Sequence, residues 1–81
     1  MNVTVKFFAA ARDVAGRESC VLDVPAGATP SLVLDVLSKE YPRLLQLKHS
    51  LRVAVNWEYV AQDHLLSEND ELAIIPPVSG G

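Results

Sequence analysis

The sequence predicts an α+β domain, a single sheet with one face covered by one main helix. Three observations lead there. The periodic segments run strand, strand, helix, strand, strand, strand, an order that excludes a doubly wound sheet because such a sheet needs helices alternating with its strands. Only one segment carries a long helical repeat. The chain has 81 residues and 49% apolar content, enough for one sheet packed on one or two helices and too little for a second domain. Pairing the first strand with the last closes the sheet into a roll that spans residues 1–81, and the C-terminal residues leave directly from its edge.

The first strand is "NVTVKFFA", where Val3, Val5 and Phe7 alternate with Thr4 and Lys6 until Phe8 breaks the pattern. "AARDVAG" reads as a short helical turn closed by Gly16 in the left-handed conformation. "ESCVLDV" alternates again, with Cys20, Leu22 and Val24 on one face and Ser19, Val21 and Asp23 on the other, as the second strand of a hairpin. After the turn "PAGA", Thr29 supplies a capping hydroxyl and Pro30 a first helical residue with no amide to lose. Leu32, Val33, Val36, Leu37 and the pair Glu40–Tyr41 follow at helical spacing, opposite Asp35, Ser38 and Lys39. The helix is expected to end at Tyr41, because Pro42 disfavours helical geometry in the residue before it.

"RLLQLK" forms a further short helical turn, and "LRVAVN" a buried strand. "NWEYV" turns into a brief strand around Tyr59 and Val60, and "SENDE" is a turn. The last strand is "ELAIIP", with Leu72 and Ile74 on one face and Ala73 and Ile75 on the other. Pro76 and Pro77 stop it, since neither donates to a ladder.

Composition narrows the functional classes. With a net charge of −3 and seven scattered Lys and Arg residues, the electrostatic footprint that nucleic-acid binding requires is missing. No apolar run has the length of a signal peptide or a membrane span, which predicts a soluble, unanchored protein. A single cysteine, Cys20, excludes an internal disulfide and every multi-cysteine metal site and fits a reducing compartment, with the cytoplasm as default. Cys20 lies on the apolar phase of its strand, where a thiol is expected to be buried, protonated and inert rather than nucleophilic. His49 and His64 lack partners at metal-ligand spacing, and Asp63 and His64, adjacent in extended chain, point to opposite faces. No catalytic constellation and no metal site is read here.

The unusual feature is the end, "PPVSGG". Pro76 and Pro77 hold the exit extended and remove two donors, so that residues 76–81 are expected to project rather than fold back. Val78 and Ser79 are small, and Gly80 and Gly81 add no side chain, so this end fits a channel too narrow for any other pair of residues. The reactive group is then the terminal carboxylate of Gly81. A carboxylate is a poor acyl donor, and chemistry there must begin with activation by another protein, most simply adenylation with ATP. The plain alternative is a frayed chain end.

The fold order, "FFAAARDVAG", "AVN" before the turn and "DELAIIPPVSGG" at the end together resemble the small, sulfur-carrier subunit family of molybdopterin synthase over nearly the whole chain. Its most specific part is the last twelve residues; the strand patterns alone are shared with ubiquitin and other β-grasp domains. Asn69 stands where that family usually has glycine, and asparagine tolerates the same left-handed backbone. The resemblance implies a ubiquitin-like β-grasp, a mixed sheet of about five strands with one main helix on one face and a flexible Gly-Gly tail. It further implies that an E1-like adenylyltransferase activates Gly81 with ATP and that a sulfur donor protein converts the adenylate into a thiocarboxylate. The tail, residues 76–81, then enters the large subunit of the synthase, within a heterotetramer, and the sulfur passes to cyclic pyranopterin monophosphate. Catalytic side chains belong to the large subunit, and this chain binds no cofactor of its own.

A docking surface is expected where the strand phases expose apolar residues. Phe8 and Ile75 turn away from the core on strands that pair, and Tyr59 comes from the short strand nearby, so the three form one apolar patch. In the family this resembles, the large subunit and the activating enzyme share that face. Arg12 and the acidic run Glu68, Asp70 and Glu71 are read mainly as solvated turn residues, with steering as the alternative role. Three other functions stay open: a carrier for thiamine synthesis or tRNA thiolation, a ubiquitin-like modifier that joins Gly81 to lysine, and a binding domain with an inert tail.

Overall fold

The structure, a computed structural model of the chain, describes residues 1–77. Its strands are β1 (Asn2–Phe7), β2 (Ser19–Asp23), β3 (Arg52–Val55), β4 (Glu58–Val60) and β5 (Glu71–Ile75). Two α-helices, α1 (Ala9–Ala15) and α2 (Pro30–Glu40), and two 3-10 turns, Pro42–Gln46 and Lys48–Ser50, complete it. The strands form one sheet in the order β2-β1-β5-β3-β4. First and last strands pair in parallel at the centre, Val5 opposite Leu72 and Phe7 opposite Ile74, as the closure of the roll requires. The other three pairings are antiparallel.

Strand alternation puts Val3, Val5, Phe7, Val53, Val55, Leu72 and Ile74 on one face, all of them buried. Against that face lie Val33, Leu34 and Leu37 of α2, together with Leu44 from the first 3-10 turn. Each fully buried side chain of this kind contributes about 1.5–3 kcal/mol relative to exposure. The ring of Phe7 meets Tyr41 edge-on at a centroid distance of 6.3 Å.

Local signals fix the ends of the helices. Thr29 Oγ1 accepts from the Leu32 amide at 3.2 Å and Pro30 opens α2. Tyr41, outside helical geometry at φ −124° and ψ 80° before Pro42, closes it one residue past Glu40. Gly16 closes α1 at φ 71°, its amide donating to the Arg12 carbonyl at 2.8 Å. The buried stripe of α2 differs from the expected one: it runs Pro30, Val33, Leu34, Leu37 and Ser38, leaving Val36 exposed and Leu32 half-buried. The first 3-10 turn packs beside α2 and covers part of the helix that hydropathy leaves open; the buried Ser38 hydroxyl has no hydrogen-bond partner.

Three further residues take left-handed backbone at turns. Asn56 (φ 50°) and Trp57 (φ 74°) form the two-residue connection from β3 to β4, the pattern of a type I′ hairpin. Asn69 (φ 65°) fills the position where a glycine is expected, and its amide donates to the Asn2 carbonyl at 2.8 Å. The acidic run beside it is built into the fold. Asp70 is buried and accepts from Asn56 Nδ2 at 2.9 Å and the Ser67 amide at 2.7 Å, while Glu68 accepts from the Asn2 amide at 2.9 Å. Asp70 is therefore a buried structural acceptor and not a solvated charge, whereas Glu68 stays exposed as a turn residue is expected to.

Candidate functional site

The sheet face opposite α2 carries the side chains of the other phase. One row across it reads Ser19, Lys6, Ala73, Ala54 and Tyr59 from the paired registers. Two alanines at the centre leave a depression, because methyl groups cannot fill the space between larger neighbours. A cleft of about 140 Å³ results, floored by Ala54 and Ala73 and walled by Phe8, Trp57, Tyr59, Glu71 and Ile75.

Phe8, Tyr59 and Ile75 thus line one cleft. Phe8 is 41% and Tyr59 66% exposed, whereas Ile75, expected to be exposed, is half-buried. Ile75 ends β5 opposite Arg52 of β3, with Phe8 lining the same cleft, and these neighbours cover part of its side chain. Phe8 is aimed outward by the start of α1. Its amide still donates to the Ile74 carbonyl at 3.2 Å, continuing the parallel ladder, and its carbonyl accepts from the Ala11 and Arg12 amides. Ala9, at φ 48°, then swings the chain into the helix, a left-handed geometry that costs an alanine about 1–2 kcal/mol.

Trp57 is the functional candidate that sequence reasoning missed. It is 80% exposed, more than any other large apolar side chain described. The signal was present: a tryptophan inside a two-residue turn has no core to enter. Next to the cleft, and sharing Phe8 and Trp57 with it, lies a broader depression of about 390 Å³ that also reaches Lys6, Arg12 and Glu18. Lys6 Nζ lies 5.6 Å from the Trp57 ring centroid and 3.5 Å from a Glu71 carboxylate oxygen. Arg12 and Glu18 approach to 4.0 Å in solvent, a pairing worth little.

The chain leaves the sheet beside this surface. Pro76 is buried and Pro77 exposed, immediately after Ile75. Pro76, expected to project with the rest of the tail, is thus covered, and only from Pro77 does the chain reach solvent; Val78, Ser79, Gly80 and Gly81 lie outside the described residues.

Elsewhere the side chains offer little chemistry. Cys20 is half-buried, less than its strand phase predicts, because β2 is an edge strand. Burial pushes its thiol above the ordinary value of 9.0, with Arg17 partly opposing. His49, Asp63 and His64 are exposed. Among the described residues no three His, Cys, Asp or Glu side chains gather as a metal site, and no helix is long and apolar enough to cross a membrane.

The ThiS family profile matches residues 5–81 of the chain. A molybdopterin synthase sulfur carrier subunit of Arabidopsis thaliana is 37% identical over 81 residues, covering 100% of this chain and 84% of the relative. Its counterpart from Drosophila erecta is 40% identical over 84 residues, covering 100% and 92%. The crystal structure of SAMP1 from Haloferax volcanii superposes with a TM-score of 0.87 at 32% identity, covering 100% of both chains. The mixed five-stranded sheet with α2 across one face is the ubiquitin-like β-grasp. With this fold, and with a match that runs through the last glycine, the chain belongs to the ThiS family.

Proposed function

We propose that this chain is the sulfur-carrier subunit of molybdopterin synthase. An E1-like adenylyltransferase joins the Gly81 carboxylate to the AMP of ATP, releasing pyrophosphate. Sulfur from a donor protein then displaces AMP at the acyl carbon and leaves a thiocarboxylate. The charged tail enters the large subunit, where the sulfur passes to cyclic pyranopterin monophosphate and water restores the carboxylate. ATP serves the activating enzyme, and this chain itself holds no cofactor. The partner face is the cleft of Phe8, Tyr59 and Ile75, and the assembly is a heterotetramer that works in the cytoplasm.

The observation that carries the reading is the position of the exit. β5 contributes floor and wall to the apolar cleft on the open sheet face, then gives way to Pro76 and Pro77. A partner seated on the cleft would lie beside the point where β5 gives way to Pro76 and Pro77, which supports delivery of the tail to that partner. The test is intact mass after co-expression with an E1-like activator and a sulfur donor, beside a variant lacking Gly81. A gain equal to one oxygen replaced by sulfur, absent from the variant, is expected. No gain where a known carrier is charged under the same conditions sinks the proposal.

A second reading follows from the archaeal likeness, since a related structure is described as a small archaeal modifier protein at 30% identity. In that case Gly81 ends as an amide on a target lysine. Conjugate bands on a denaturing gel, lost with Gly81, distinguish it.

A further inference from the structure

Trp57 breaks two local rules at once. It takes the second position of the β3–β4 turn at φ 74°, where a type I′ turn favours glycine and a bulky side chain is costly. Its ring is also 80% exposed, so almost none of its apolar area contributes to the core. Folding alone does not account for a tryptophan there. Departures from local preference without a stabilising return concentrate at functional positions.

Its placement says what the function is. The ring stands between the two depressions of the open face, lining both the cleft with Tyr59 and Ile75 and the broader hollow with Lys6 and Arg12. The backbone beneath is pinned: the Asn56 amide donates to the Glu71 carbonyl at 2.9 Å, and the Glu71 amide donates to Asn56 Oδ1 at 3.0 Å. Lys6 Nζ stands between a Glu71 carboxylate oxygen at 3.5 Å and the indole centroid at 5.6 Å, a cation–π contact on one face of the ring. An exposed aromatic on a rigid turn, continuous with an apolar cleft, loses little entropy on docking and is the kind of residue that dominates interface energetics.

We propose that Trp57 is the anchor of the docking surface, entering an apolar pocket of the large subunit that offers an acceptor to the indole N–H. The inference rests on the reading of this face as the synthase interface and extends that interface beyond Phe8, Tyr59 and Ile75. It predicts opposite signs for stability and binding. Trp57→Gly suits the turn and is expected to hold or raise the thermal midpoint, yet to weaken binding to the large subunit by at least about tenfold. Trp57→Asn, which also tolerates positive φ, is expected to do the same.

The experiment is calorimetric titration of the full-length chain with the large subunit, in parallel for wild type, both Trp57 variants and Phe8→Asp, with thermal melts of each. Loss of affinity in both Trp57 variants with the melts preserved supports the anchor. Affinity within about twofold of wild type in the Trp57 variants while Phe8→Asp binds weakly overturns the anchor and leaves the interface standing. Unchanged affinity in all three overturns the reading of the face itself.

Discussion

Asn56 and Asp70 clamp the end of β3 to the start of β5: Asn56 Nδ2 donates to Asp70 Oδ1 at 2.9 Å, and Asp70 Oδ2 accepts from the Ser67 amide at 2.7 Å. One residue begins the β3–β4 turn and the other precedes β5. The turn that carries Trp57 is thereby tied to the strand that leads to the tail.

Breaking that clamp leaves a side-chain amide and a backbone amide without their acceptor. Asp70→Ala is expected to destabilise the fold by about 1–3 kcal/mol, and Asp70→Asn by less because it keeps one acceptor. Urea denaturation with an unchanged slope checks this; a loss well below 1 kcal/mol in both would mean that water substitutes for the carboxylate.

Ser38 presents the reverse case. Its hydroxyl is buried on α2 without a partner, while alanine is the better helix former. Ser38→Ala is expected to raise stability by about 0.5–2 kcal/mol, read as a higher denaturation midpoint. A fall instead would show that the hydroxyl is satisfied in solution.

Cys20 should be a slow nucleophile. Burial raises its thiol above 9.0, so alkylation near neutral pH is expected to lag behind that of a free cysteine. The sign of the linkage follows. The unfolded thiol ionises first, so the contribution to stability is complete below about pH 9 and is lost as pH rises through the folded value. Cys20→Ala is expected to flatten that alkaline decline, and stability curves at increasing pH decide it.

Ala73 sets the depth of the cleft. Ala73→Glu places a charge on its floor, and is expected to weaken large-subunit binding by at least about tenfold. The side chain points away from the core, so the melting temperature should move only a few degrees. Full affinity in the variant would exclude the cleft from the contact.

Much of this was legible in the chain. Period-two alternation in 2–7, 19–24 and 71–75 is strong because one face of each strand is buried, and Thr29, Pro30 and Pro42 mark the ends of α2 by chemistry local to a few residues. The stripe of α2 was misplaced by a fraction of a turn. Leu32, Val33, Leu34, Val36 and Leu37 are all apolar, so hydropathy alone does not choose among them. For Ile75 and Cys20 alternation gives the face but not the depth, since depth depends on which strands end up beside them.

The sequence by itself determined the strand–strand–helix order, the phase of β1, β2 and β5, the turn at 67–71 and the Gly-Gly end, because all of these follow from side-chain type and spacing within a few residues. Tertiary structure alone decided that Ala54 and Ala73 lie side by side and open a cleft, that Asp70 is a buried acceptor, and that Trp57 stands between two depressions with Lys6 beside it. Those relationships join residues far apart in the chain, and they exist only once β5 has inserted between β1 and β3 and set the register of both pairings.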